Sequence, residues 1–234
     1  MSILREHSHR VITLKDIEAA RDRIKGAVFY SPCPPSIPLS EITGMEIFCK
    51  LDNLQRTGSF KERGARNALA QLSPDQKKRG VIAASAGNHA QALAYQGKLL
   101  GIPATAVMPK FAPLIKVNNC EELGANVVLH GKDFAEAKAR AHEIAKEKGL
   151  AYIDGYDDPA IIAGQGTMGL EMVDQVPESS PSKRKMWPAF PLCSKVANRR
   201  KSRCTRRWPT VSPFRRSAQM DSKSHNRVSI KPSS

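Results

Sequence analysis

Apolar positions along the first three quarters of the chain follow two alternating periods. Short apolar runs at Val81 to Ala84, Ala104 to Met108 and Val127 to His130 read as buried strands. Each is followed by a longer stretch whose apolar residues recur every three or four positions. These predict helices ending at Gly101, over about Leu114 to Leu123, and over about Phe134 to Lys148. Strands alternating with helices of this length make βαβ units, a parallel sheet with helices on its faces, and an α/β fold class.

The flanks extend the pattern. Thr13 and Asp16 have the spacing of a capping box, and Leu14, Ile17 and Ile24 keep a helical stripe that Gly26 closes. Met45 to Leu51 reads as a strand, and Gly58-Ser59 opens a helix through about Leu72. A short strand near Tyr152-Ile153, a turn at Tyr156-Asp157-Asp158-Pro159 and a helix from about Ile161 to Asp174 finish the regular part. After Gln175 the periodicity stops.

Composition changes this picture in one respect. The 234 residues, 41% of them hydrophobic, suffice for a sizeable core, and the formal charge of +15 points to an anionic partner such as nucleic acid or a membrane surface. Residues 1–175, however, hold 22 basic and 20 acidic side chains, and residues 176–234 hold 15 and 2. All 15 glycines lie before that cut, with none after Gly169. The charge therefore belongs to the tail. No apolar run reaches the roughly 18–20 residues of a membrane span, and Met1 to Arg10 lacks a signal peptide's apolar region, so a cytoplasmic protein without a membrane partner is expected. The cysteines at 33, 49, 120, 193 and 204 form no C-x-x-C pair, so idle thiols are expected and no metal site is assigned.

Two turns could carry chemistry. In Gln55-Arg56-Thr57-Gly58-Ser59-Phe60-Lys61-Glu62-Arg63-Gly64-Ala65, a lysine in the first turn of a helix feels the positive end of its dipole, which disfavours the ammonium and favours a nucleophilic amine. A solvated surface lysine is the alternative reading. In Ser85-Ala86-Gly87-Asn88-His89-Ala90-Gln91, small residues between a strand end and a helix start let an anion approach backbone N–H groups. A plain turn capped by Ser85 is the alternative there.

Thr-Gly-Ser-Phe-Lys-Glu-Arg-Gly-Ala at 57–65 and Ser-Ala-Gly-Asn-His-Ala-Gln at 85–91, taken together, resemble the fold type II pyridoxal-phosphate enzymes of the tryptophan-synthase-β superfamily. The wording is most similar to the threonine dehydratases (threonine ammonia-lyases) of the short catabolic type. Val107-Met108-Pro109-Lys110, Gly124-Ala125, the turn at 156–159 and Ile162-Ala163-Gly164-Gln165-Gly166-Thr167 add to the resemblance, which covers about residues 10–177.

The resemblance implies pyridoxal 5'-phosphate as cofactor, Lys61 as the catalytic lysine that holds it, Asn88 at its 3-hydroxyl and Phe60 beside its ring. Ser85, Ala86, Gly87 and His89 would hold the substrate carboxylate. The implied reaction is elimination from L-threonine or L-serine, giving 2-oxobutanoate or pyruvate plus ammonia. A serine racemase is the alternative within the superfamily. Those enzymes carry a serine before Gly-Asn where this chain has Ala86, whose methyl group moves no proton. An adenine nucleotide effector is implied at Arg56, Thr57 and Gln91, and the family forms homo-oligomers. Glu62 departs from a usually apolar position; it is either an exposed substitution or a carboxylate beside the reactive lysine.

The resemblance also implies an organisation: 1–77 as the first part of a large cofactor-binding domain, 78–155 as a small α/β domain, 156–176 as a return helix of the large domain, and 177–234 as a basic tail. In the family the chain continues near Val176-Pro177 into a glycine-rich phosphate loop. Here Glu178 to Lys185 begins a stretch rich in Arg, Ser and Pro. It reads as a disordered tail, as a nucleic-acid arm, or, the favoured expectation, as translation in a shifted frame after codon 176. An inactive fragment of a dehydratase that retains the cofactor weakly is accordingly the alternative function.

Overall fold

The structure, a computed structural model, describes residues 11–177; the first ten residues and the tail from 178, with every reading of it, lie outside the described residues. Helix α1, Leu14–Ile24, starts on the expected capping box: Asp16 donates its N–H to Thr13 Oγ1, and the Asp16 carboxylate accepts the Thr13 N–H at 2.8 Å. Ile17, Ala20 and Ile24 are buried, whereas Leu14, expected in that stripe, is 41% exposed. The steps 17, 20 and 24 keep one helical face, and Ala20 occupies its middle.

Met45 to Leu51 is not a strand. A short helix, α2 (Ile37–Thr43), folds the preceding segment back, and the two stretches meet in a single antiparallel bridge between Pro35 and Phe48. Cys49 donates to the Pro34 carbonyl at 2.9 Å and Leu51 to the Pro32 carbonyl at 3.0 Å, but prolines have no N–H to return the bonds, so no ladder forms. A 3₁₀ turn at Asp52–Leu54 leads to α3, Lys61–Ala70, and then to α4, Pro74–Arg79, capped by Ser73 with Gln76 reaching back.

Four parallel strands follow: β1 (Val81–Ala84), β2 (Ala104–Met108), β3 (Ala125–Leu129) and β4 (Ala151–Tyr152), in the spatial order β3-β2-β1-β4. The third begins two residues before the expected Val127. Helices α5 (Asn88–Leu100), α6 (Leu114–Glu122) and α7 (Phe134–Lys148) link them, and α8 (Pro159–Gln175) completes the described chain. Gly101 and Gly149 end α5 and α7 in the left-handed conformation.

Alternation along the strands sorts the core into layers. Ile82, Ala84 and Val107 pack with Ala137, Ala141 and Ile144 of α7. On the opposite face, Ala106 and Met108 meet Ala90 and Ala94 of α5 and Val117 of α6, while Val81 and Ala83 meet Leu69 of α3 and Ile161 of α8. Helices α3 and α8 cross at glycines. A Cβ on Gly164 would sit 2.6 Å from the Arg63 carbonyl oxygen and from the Gly64 Cα, so no larger residue fits without parting the helices.

Candidate active site

The strand order reverses between β1 and β4: from β1 the chain moves outward to β2 and β3, then returns to β4 on the other side. At such a switch point the connections leave the carboxyl ends of neighbouring strands in opposite directions and open a crevice. A cleft of about 420 Å³ lies there, within the range of small-ligand sites. Lys61, the turn at Ser85 to Gly87, Asn88 and His89 form part of its wall. The turn at Asp154 to Asp157 adjoins Lys61 and His89, and Ala84, Phe134, Lys138 and Tyr152 complete the lining.

Lys61 is the first residue of α3. Gly58, with φ of +72°, turns the chain, and Ser59 Oγ accepts the Lys61 N–H at 3.3 Å. The Lys61 ammonium donates to the Gly155 carbonyl at 2.7 Å and lies 4.8 Å from the Tyr156 ring centroid and 5.4 Å from that of Phe60. Burial pushes its pKa below the usual lysine range, with the negative charge of Asp154 pulling the other way. An amine so placed is available as a nucleophile or base closer to neutral pH than a surface lysine.

The same cleft is lined by the amino end of α5, whose first N–H groups have no partners within the helix. Gly87 leaves open space where a Cβ would be, so a ligand can approach the backbone. Ser85 Oγ accepts the Gly87 N–H at 3.2 Å. His89 is 6% exposed, with Nε2 3.0 Å from the Ile153 carbonyl oxygen. That contact places the proton on Nε2 and leaves Nδ1 as a buried acceptor without a partner. Burial holds His89 below the ordinary histidine range against the pull of the Ile153 carbonyl, so the ring is neutral near pH 7.

The expected site residues thus divide. Lys61, Ser85, Ala86, Gly87, Asn88 and His89 share one cleft, with Asn88 exposed at its rim. Phe60 stands next to the lysine without lining the cleft, and Arg56, Thr57 and Gln91 do not line it either. The reading of Glu62 as an exposed substitution is corrected: it is 2% exposed, one oxygen accepting the Thr57 N–H and the other lying 3.4 Å from Gln96 Nε2. It braces the loop that precedes Lys61.

Two groups were given no place in the site by the sequence reading. One is the 154–157 turn, although it comes after a strand in the same way as 85–87. The other is a cluster beneath α3. Arg63, fully buried, donates to Asp52 at 2.7 and 2.9 Å and to Glu171 at 2.6 and 2.9 Å, and Lys50 lies 2.5 Å from Glu171. Two cations and two carboxylates from three segments, 50–52, α3 and α8, balance there, which nothing in their spacing announces. Cys33 and Cys120 are buried thiols and Cys49 is part-buried; burial pushes Cys120 up to about 11. Among the described residues no cluster of His, Cys, Asp and Glu is arranged to hold a metal ion, and no helix is long and apolar enough to cross a membrane.

Comparison with known proteins supplies the class. The family described as "Pyridoxal-phosphate dependent enzyme" matches residues 24–183. The chain belongs to that family. Within it, the chain is 49% identical over 168 residues to the L-threonine ammonia-lyase of Thermotoga maritima, covering 72% of this chain and 42% of that one. Among solved structures it is similar to the processed form of threonine deaminase isoform 2 from Solanum lycopersicum, with TM-score 0.65, 42% identity, and 70% of this chain and 48% of that one covered. It is also similar to serine racemase from Dictyostelium discoideum, with TM-score 0.68, 35% identity, and 72% and 55% covered. The chain spans about half the length of the curated relatives it matches. Its fold is that of the type II pyridoxal-phosphate enzymes. The described residues fit part of what that cofactor needs: a half-buried amine with a lowered pKa, an approachable helix amino end for an anion, and a cleft of small-ligand size.

Proposed function

We propose that the chain is the lysine-bearing part of a pyridoxal-phosphate-dependent L-threonine or L-serine ammonia-lyase, forming 2-oxobutanoate or pyruvate with ammonia. The observation that carries this reading is Lys61, its amine held by the Gly155 carbonyl in a cleft that the amino end of α5 also lines, in a chain of this family. When bound, the cofactor supplies an electron sink for the substrate's α-carbon.

The residues of this chain do the rest. Lys61 holds the cofactor and, as a depressed-pKa amine, accepts the α-proton. The N–H groups at the start of α5, with Ser85 and Gly87 beside them, orient a carboxylate by charge-assisted hydrogen bonds. Asn88 presents an amide at the rim for the cofactor's 3-hydroxyl. His89, neutral and tautomer-fixed, offers an acceptor rather than a second cation. Ala86 stands on the cleft wall with no group that carries a proton, which favours elimination over the racemisation performed by the Dictyostelium relative.

A second reading, capture of the cofactor without turnover, draws on the chain's span of about half its relatives' length. One experiment separates the two. The full chain is incubated with pyridoxal phosphate, reduced with borohydride and mapped by peptide mass spectrometry, and 2-oxo acid release from threonine and serine is followed in an unreduced sample. Label on Lys61 with 2-oxo acid formed supports the lyase. Label on Lys61 alone supports capture without turnover, and label spread over surface lysines in parent and Lys61→Arg alike defeats both.

A further inference from the structure

The 154–157 turn is held in place more firmly than an ordinary connection requires. Ile153 donates its N–H to the Ile82 carbonyl at 2.9 Å and gives its own carbonyl to His89, which ties the end of β4 to both β1 and α5. A Cβ on Gly155 would lie 2.9 Å from the His89 ring, so only glycine lets the chain pass this close. Asp154 shapes the rest of the turn. Its Oδ1 accepts the Tyr156 N–H at 2.8 Å and the Asp157 N–H at 3.1 Å, while Oδ2 accepts from Lys138 of α7 at 3.2 Å. The two groups this fixes, the Gly155 carbonyl and the Tyr156 ring, face the Lys61 amine together with the Phe60 ring.

We propose that Asp154 is a positioning residue for Lys61: its carboxylate holds the turn that presents the Gly155 carbonyl to the amine, and supplies the negative charge that keeps the amine there. The functional meaning rests on reading Lys61 as the reactive amine, but the proposal concerns that amine itself. The other charged or titratable groups lining the cleft are His89, Lys138, Tyr152, Tyr156 and Asp157, with Asp158 just beyond. His89 is neutral and bonded to Ile153, Asp158 accepts the Ala160 and Ile161 N–H groups as the cap of α8, and Lys138, 42% exposed, is the ion partner of Asp154. A carboxylate 9% exposed loses much of its hydration, and three donors compensate it.

Two substitutions distinguish charge from shape. Asp154→Asn keeps an oxygen to accept the two turn N–H groups and removes the charge. Lys138→Met leaves the carboxylate with its turn but without its cation. The full chain is trace-labelled with acetic anhydride from about pH 6 to about pH 11, and peptide mass spectrometry gives the midpoint for Lys61. We expect Asp154→Asn to lower that midpoint by about half a pH unit or more, and Lys138→Met to raise it. A turn that is merely loosened cannot move the amine in opposite directions. No shift in Asp154→Asn, or shifts of the same sign in both variants, overturns the proposal. If Asp154→Asn fails to fold, judged by its melting curve, Lys138→Met decides alone: a rise supports, and no change or a fall overturns. Capture of pyridoxal phosphate is measured separately on the same proteins, so chains that show the shifts but take up no cofactor defeat the functional reading and leave this one standing.

Discussion

At Arg63 a guanidinium meets two carboxylates at 2.6 to 2.9 Å inside the protein, whereas two residues earlier on α3 the Lys61 ammonium meets one carbonyl and the faces of two rings. Two positions correspond to about 200° of helix rotation, so the cations leave the helix on opposite sides. One side is closed by Asp52 and α8; the other opens on the cleft. Arg63 is therefore committed to structure, its pKa raised by hydrogen bonds to Asp52 and Glu171 that outweigh burial. Lys61 receives too little compensation to remain a comfortable cation. Incomplete pairing leaves the buried Lys61 amine below the usual lysine range, and complete pairing two residues away holds Arg63 as a cation.

The largest expected effect breaks the paired side. Arg63→Met leaves Asp52 and Glu171 buried without their shared cation and should cost about 3–5 kcal/mol, read from urea unfolding. Lys61→Met should stay within about 1 kcal/mol of the parent. Equal losses in the two variants would remove the distinction between the two cations.

A smaller effect sharpens the comparison through pH. Burial works to raise the Asp52 carboxyl, but hydrogen bonds from Arg63, Ser31 and Gln55 prevail and hold it below the usual carboxylate range. A depressed folded pKa means that the stabilisation is whole above the ordinary value of about 4 and is lost as pH falls from there through the lowered value. The parent's unfolding free energy should therefore fall steeply over that acid window. Asp52→Asn should begin about 2 kcal/mol lower at neutral pH and fall less steeply, and parallel curves would show that Asp52 contributes no titrating charge.

The smallest effect on stability belongs to the cleft rim. Asn88 is exposed, so Asn88→Ala should unfold within about 0.5 kcal/mol of the parent while capturing pyridoxal phosphate more weakly in an absorbance titration. A stability loss as large as that of Asp52→Asn, with capture unchanged, would make Asn88 a structural residue instead.

The regular elements were legible in the sequence to different degrees. Val81–Ala84, Ala104–Met108 and Phe134–Lys148 carry their period, caps and glycine stops within a few residues, and the structure places them where those signals say. Met45 to Leu51 has the apolar pattern of a strand, but Pro32 and Pro34 opposite it cannot return the bonds they accept, which leaves the Ser36 N–H to donate to the Ile47 carbonyl at 2.7 Å. A strand is a property of two segments, and its own sequence shows only one.

The site divides along the same line. Lys61 and the 85–89 turn were readable because each motif is contiguous and each rests on helix-terminus chemistry. The sequence by itself therefore determined most of the helices, the four strands and the family, and pointed to Lys61, since these depend on neighbours along the chain. Only the tertiary structure decided that the Gly155 carbonyl meets Lys61 from 94 residues away, that Glu62 points inward, and that Lys50, Asp52, Arg63 and Glu171 neutralise one another. Charge compensation acts through space over a few ångströms, and the order of residues along a chain does not record which charges the fold will bring that close.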